Sequence, residues 1–297
     1  MVIYEFLINA ISLGCLYALM ALGLVIIYGI LKMVNFAYGE LIMFAGYMLY
    51  LVGSFTNLPW ILVALAAVLG AVIVSYLTEI VAFRQVRTKS LTALLITSFA
   101  VSTLLQNAAL LTISPRAKAV ILPPIFSTTV SVFGLNIAMR HILTIGVSIA
   151  MFIGLTLLFR YTVLGIALRA AADNFRMTRM LGVPADLVIS SAFILSGMIA
   201  GVCALFWIGR TASVTPTIGL GPLLIAFIAT VIGGMSSLLG AAVGGFAYGL
   251  IFTMIGVLLP QVLLDYREAF MFLIVMLILI FRPEGLVRAK HTQERVG

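Results

Sequence analysis

The chain has 297 residues, of which 64% are hydrophobic and 9% charged, with a formal net charge of +8 and a mean hydropathy of +1.27. Soluble domains carry roughly 25% charged residues, so this composition excludes a water-soluble protein and marks a polytopic membrane protein. In a soluble chain the excess of Arg and Lys would suggest nucleic acid; here it falls mostly between apolar runs, and the expected surroundings are lipid, with no nucleic-acid partner.

The N-terminus, MVIYEFLINA, has no basic n-region, and the apolar run after Glu5 is too long for a signal-peptide core, so it reads as a retained first span. A spanning helix needs about 20 apolar residues. Runs of that kind lie near 6–31, 35–53, 59–78, 92–113, 141–159, 188–208, 239–259 and 266–281. A ninth, 222–238, is punctured by Gly233, Gly234, Ser236 and Ser237 and reads as a full span, a half-helix or a re-entrant segment. The fold class is therefore all-α, a transmembrane bundle of eight or nine spans forming a single domain over residues 1–297, with breaks expected at 32–40 and 222–240.

Basic residues orient the bundle. Arg84, Arg87 and Lys89 fill one gap, Arg160, Arg169, Arg176 and Arg179 another, and Arg282, Arg288, Lys290 and Arg295 the tail. The positive-inside bias places all three in the cytoplasm, and parity favours nine spans with the N-terminus outside. Arg116, Lys118, Arg140, Arg210 and Arg267 fall on the other side and vote against it. The 114–140 loop, with Pro115, Pro123, Pro124 and Gly134, is expected to be irregular.

Several functions are excluded. No G-x-x-x-x-G-K-[ST] occurs, so the chain holds no nucleotide by a P-loop. Its two histidines, His141 and His291, and its widely separated Cys15 and Cys203 form neither a metal-ligand pattern nor a triad. No catalytic residues are expected. Acidic residues, Glu79 and Asp186 among them, sit at apparent helix ends or in loops, leaving Glu40 as the one candidate to face a pathway.

Three segments remain. In KMVNFAYGE, residues 32–40, Asn35 can cap the second helix and Glu40 suits its first turn. That describes a capped surface connection. The same residues also describe a discontinuous helix whose Asn35, Phe36, Tyr38, Gly39 and Glu40 line a translocation path. In GIALRAAADNFRMTRMLGVPADL, residues 165–187, good helix formers run to a Gly182–Pro184 stop. Arg169, Asp173, Arg176 and Met180 share one side; Leu168, Ala171, Ala172, Phe175 and Arg179 spread elsewhere, so the surface reads as mixed. It is an interfacial helix on lipid headgroups or a helix docked on another protein. In residues 216–249, Gly240/Gly244 and Gly245/Gly249 are G-x-x-x-G pairs suited to close helix packing. The turn at Gly233, Gly234, Ser236 and Ser237 exposes amides that need partners or water.

These segments, with the tail motif FRPEGL at 281–286, resemble the signatures of the LivH-type permeases, integral subunits of branched-chain amino acid ABC importers. The match runs through Asn35-Phe36-Ala37-Tyr38-Gly39-Glu40, through Arg169, Ala170, Ala172, Leu181 and Gly182, and through Val231, Gly233, Gly234, Ser237, Gly240 and Ala241. Tyr38 stands where many relatives carry histidine, Asp173-Asn174 where they carry Glu-Asp, and Ser236 replaces a glycine. The resemblance implies a permease moving leucine, isoleucine, valine or similar small amino acids or amides through the bacterial or archaeal inner membrane. It implies a LivM-type permease partner, two ABC ATPases and an extracytoplasmic binding protein. ATP and Mg would be held by the ATPases and no cofactor by this chain; residues 160–187, with Arg169, Ala170, Ala172, Asp173, Asn174, Arg176, Leu181 and Gly182, would be the ATPase-coupling loop. Without the resemblance, an ion- or proton-coupled carrier acting alone through Glu40 is the alternative.

Overall fold

The computed structural model describes residues 2–56, 58–87, 89–132, 135–235, 237–282 and 285–287. Ser236, Pro283, Glu284 and the basic tail residues Arg288, Lys290 and Arg295 lie outside the described residues.

The first helix, α1 (Val2–Leu31), is about 45 Å long at 1.5 Å per residue, more than a bilayer's hydrocarbon needs. It is apolar all round, and Leu16, Leu19, Met20, Leu22, Leu24 and Ile27 are fully buried, so it forms the axis of the bundle. After a break come α2 (Tyr38–Phe55) and α3 (Trp60–Thr78). The latter runs on through a π-turn at Glu79–Phe83 into α4 (Arg84–Val86) and is followed by α5 (Leu91–Thr112).

The long loop is not wholly irregular. It contains a strand, β1 (Lys118–Ala119), and an antiparallel hairpin of β2 (Thr129–Val132) and β3 (Leu135–Ala138), in which Thr129 faces Ala138. The β-branched residues Thr129, Val130, Val132 and Ile137 suit a pleated surface, a signal that the prolines and glycine outweighed in the sequence reading.

The chain continues through α6 (Met139–Tyr161), α7 (Val163–Met180) and α8 (Ala185–Thr211). Next come β4 (Ser213–Val214), paired with β1, then α9 (Leu220–Gly233), α10 (Leu238–Leu258) and α11 (Arg267–Phe281). Among the described residues, seven helices are long and apolar enough to cross a membrane; α9 and α11, with 14 and 15 residues, are shorter. Large apolar side chains on α3, α5 and α6, such as Ile73, Ile96, Leu104, Leu111, Ile149 and Ile153, point outward. A soluble fold would bury them; a lipid-facing bundle does not.

Backbones approach closely where small residues meet. A Cβ added at Gly245 would strike the backbone of Ala18, and one at Gly249 the backbone of Gly14, so a small-xxx-small pair on α10 seats on one of α1. Gly240 and Gly244 press in the same way on α9, at Gly233 and Ala229.

The basic gaps gather at one end. Arg84, Arg87 and Lys89 line a cavity with Leu31, Phe175 and Arg179, while Leu238 lines another with Phe159 and Arg169. The tail returns there, Leu286 N–H donating to Ile232 O at 2.8 Å and Val287 N–H to Gly233 O at 3.2 Å. The opposite end holds the start of α1 beside Arg140, His141, Arg210 and Arg267, around a cavity of about 560 Å³.

Candidate functional site

After Leu31 the chain turns back into the bundle. Lys32 takes a left-handed conformation at φ 53°, and Asn35 makes a tight turn, its Oδ1 accepting from Ala37 N–H at 3.1 Å. Asn35 therefore folds the break rather than capping α2; the residue before that helix is Ala37, which offers no side-chain cap.

The depth of this break follows from its neighbours on α5. Leu31 shares a cavity wall with Leu91 and Leu94, the Phe36 ring stacks on Phe99 with centroids 3.9 Å apart, and Glu40 Oε1 accepts from Ser102 Oγ at 3.1 Å. From Leu94 to Ser102 is eight residues, about 12 Å of helix, and Ser102 is at the middle of α5. The segment thus climbs from the basic end to mid-depth, and α2 begins inside the bundle.

A second break meets it there. From Ala212, also left-handed at φ 51°, residues 212–219 lead inward from the end of α8 to the start of α9. Gly39 and Gly219 are in backbone contact: a Cβ at Gly39 would fall on the Gly219 carbonyl, and one at Gly219 would lie 2.6 Å from Gly39 O. The first turns of α2 and α9, each a positive dipole end, are thereby brought together mid-bundle, with Tyr38 and Glu40 N–H donating to Asn35 O and Ala37 O and Leu220 N–H to Thr217 O. Gly219 was not singled out in the sequence; the only hint was a second glycine before an apolar run that is too short to span.

Glu40 is buried beside that junction, and its Oε2 has no partner among the described residues. A buried carboxylate at bilayer mid-depth is costly, about 2.5–3.5 kcal/mol on insertion scales. Tyr38 is fully buried against Gly23 of α1, its ring occupying the space a side chain at Gly23 would need.

The turn at 233–237 stands elsewhere. Gly233 is thirteen residues from Leu220, about 20 Å away along α9 at the basic end. Gly234 is in a glycine-favouring conformation at φ 101°, Ser237 Oγ caps α10 by accepting from Gly240 N–H at 2.8 Å, and the returning tail takes up the carbonyls of Ile232 and Gly233. Gly234 N–H also donates to Thr230 O at 2.9 Å. The structure brings Asn35, Phe36, Gly39 and Glu40 together with α5 and Gly219, and it does not bring Gly233, Gly234 or Ser237 to that cluster.

The loop of residues 160–187 is built on α7. Thr162 caps it, accepting from Gly165 N–H at 3.0 Å, and Asn174 leaves the helix at φ −148°, ψ 94° to cap a second short piece by accepting from Met177 N–H at 3.1 Å. An amide side chain suits that capping role. The mixed surface read from the sequence is corrected here. Gly165, Leu168, Ala171, Ala172, Phe175 and Thr178 form one buried or half-buried stripe at helical spacing, with Ala172 facing Gly29 of α1. Arg169, Ala170, Asp173 and Asn174 face away from it, and Arg176 lies in the same helix. Beyond it Met177, Met180 and Leu181 are 57%, 68% and 84% exposed, and Gly182 turns the chain at φ 83°.

One acidic group read as lying at a helix end or in a loop is a core residue. Glu79 is fully buried in the π-turn, accepting from Arg84, Arg87 and Ser190. It stands four residues after buried Ser75 and eight after buried Ala71, on the face that α3 turns inward.

Residues 6–281 match the family model described as the branched-chain amino acid transport system permease component. Among similar proteins are the high-affinity branched-chain amino acid transport system permease protein BraD of Pseudomonas aeruginosa, 31% identical over 95% of this chain and 94% of the relative. LivH of Salmonella typhimurium, named as a permease of the same kind, is 32% identical over 94% of this chain and 93% of its own length. A probable branched-chain amino acid transport permease protein LivH of Methanocaldococcus jannaschii is 28% identical over 94% and 90%.

Proposed function

We propose, on the premise that this chain belongs to the family of branched-chain amino acid transport permease components, that it moves leucine, isoleucine or valine inward across a cytoplasmic membrane on ATP hydrolysed by separate subunits. Family membership makes the chain a multi-pass membrane transporter subunit and not an enzyme. The observation that carries the rest is the apolar knob of Met177, Met180 and Leu181, exposed on a basic loop at the bundle's end. Apolar side chains standing out among arginines are the form of a surface that another protein covers.

In this reading the knob and Arg169–Gly182 dock on an ATPase, and the two ATPases bind ATP and Mg. Asn35, Phe36, Tyr38, Gly39 and Glu40 border the path, whose apolar walls suit an aliphatic side chain. The free Glu40 oxygen is suited to an ammonium group and the junction of helix starts to a carboxylate. Gly233, Gly234 and Ser237 hold the basic-end mouth of the path. A second, LivM-type permease completes the channel. Arg140, Arg210 and Arg267 outnumber Glu5 in the lining of the far-end cavity and suit an acidic face on an extracytoplasmic binding protein.

The test is purification from native membranes in mild detergent. Two P-loop ATPases and a second permease are expected to come with the wild-type chain. Gly182→Pro, which demands φ near −65° where the backbone has +83°, is expected to lower bound ATPase at least tenfold. A chain that comes out alone in several detergents contradicts the reading.

A further inference from the structure

Three residues on one face of α8, at positions i, i+4 and i+7, grip the end of α3. Asp186 pairs with Arg87; Ser190 Oγ donates to Glu79 Oε2 at 2.8 Å and accepts from Arg84 Nη2 at 3.1 Å; the Phe193 ring packs on Phe83 at 5.2 Å. One turn deeper, Ser75 Oγ donates to Phe193 O at 2.6 Å. Glu79 also accepts from Arg84 Nη2 at 2.9 Å and from Arg87 Nη1 at 3.4 Å. A carboxylate so deeply buried is held in place by these charges, and removing one partner strands the others.

The position of this cluster in the chain gives it a use. Asp186 is four residues after Gly182, at the C-terminal end of the 160–187 coupling loop. Arg87 is three residues before Ser90, whose Oγ caps α5 by accepting from Ala93 N–H at 3.1 Å. From there α5 reaches Phe36 and Glu40 through Phe99 and Ser102. It is lightly packed along its length, with Leu91, Ile96, Phe99, Leu104 and Leu111 more than half exposed, and weakly packed elements are those that move. A cavity of about 820 Å³ separates its first turn from Gly182–Asp186. The π-turn at Glu79–Phe83 supplies a hinge in the otherwise stiff α3–α4 rod.

We infer that the Glu79–Arg84–Arg87–Asp186–Ser190 cluster is the joint through which the coupling loop moves α5, and with it the Phe36 and Glu40 contacts at mid-depth. It rests on the permease reading above. Arg87 and Asp186 are positioning residues, touching neither substrate nor nucleotide: a shift of the loop is passed to the 84–90 connector by their ion pair while Glu79 keeps the connector's other end fixed.

The test uses Asp186→Asn in the complete transporter in liposomes. The Asp186 side chain is 62% exposed and its one ionic partner among the described residues is Arg87, so the fold survives the change. The expected result is ATPase subunits still bound, hydrolysis within twofold of wild type, and substrate moved per ATP reduced at least fivefold, with Asp186→Glu restoring it to within twofold. Unchanged substrate per ATP overturns the joint. So does a loss of uptake matched by an equal loss of bound ATPase or of thermal stability, which marks a purely structural contact. Uptake by the unmodified assembly without ATP brings down the permease reading, and the joint with it.

Discussion

Valine at Gly39 is expected to reduce substrate uptake at least tenfold. The Gly39 Cα lies against the Gly219 carbonyl, and a Cβ there would also stand 2.9 Å from Leu223 Cβ. Backbone cannot swing aside as a side-chain tip can, so the starts of α2 and α9 must separate. Overpacking of this kind costs about 1–3 kcal/mol, and it displaces Glu40, the next residue, from Ser102. Gly219→Val is expected to act equally, because the clash is reciprocal, and Gly39→Ala to fall between. The control is Gly154→Ala on α6, where nothing lies within 4 Å of an added Cβ; its uptake, normalised to protein in the membrane, should stay within twofold. Tolerance of valine at both sites would show that the junction does not shape the path.

Glu79→Ala is expected to destabilise the chain by about 3 kcal/mol, the cost of removing the buried acceptor shared by Arg84, Arg87 and Ser190. Arg87, with 12% of its side chain exposed, would keep only Asp186, and Arg84 only Ser190. Membrane proteins of this size unfold irreversibly, so the measure is the half-life at a fixed temperature in detergent. Glu79→Ala should shorten it by well over tenfold, whereas Asp186→Asn should leave it nearly unchanged. Equal half-lives for Glu79→Ala and wild type would contradict the buried cluster.

The apolar runs and the three basic gaps were legible in the sequence because both signals are local and the bilayer imposes them. The glycine pairs of α10 were legible for the same reason: spacing of four places them on one face. Depth was not. Nothing in KMVNFAYGE says that the chain climbs about 12 Å by the first turn of α2; that depends on Phe99 and Ser102, more than sixty residues away. The pairing of Gly39 with Gly219 is likewise non-local. The burial of Glu79 was not legible either, because its partner Ser190 lies more than a hundred residues away. The 160–187 loop looked mixed because its inward stripe is mostly small residues: Gly165, Ala171, Ala172 and Thr178 carry little apolar signal beside Leu168 and Phe175.

The most direct test of the central claim is leucine uptake into sealed liposomes that contain the chain with its co-purified subunits and binding protein, with ATP and ion gradients supplied separately. The account predicts uptake that requires ATP and persists when proton and sodium gradients are collapsed. Uptake by the chain alone, driven by an ion gradient without ATP and lost in Glu40→Gln, would contradict it.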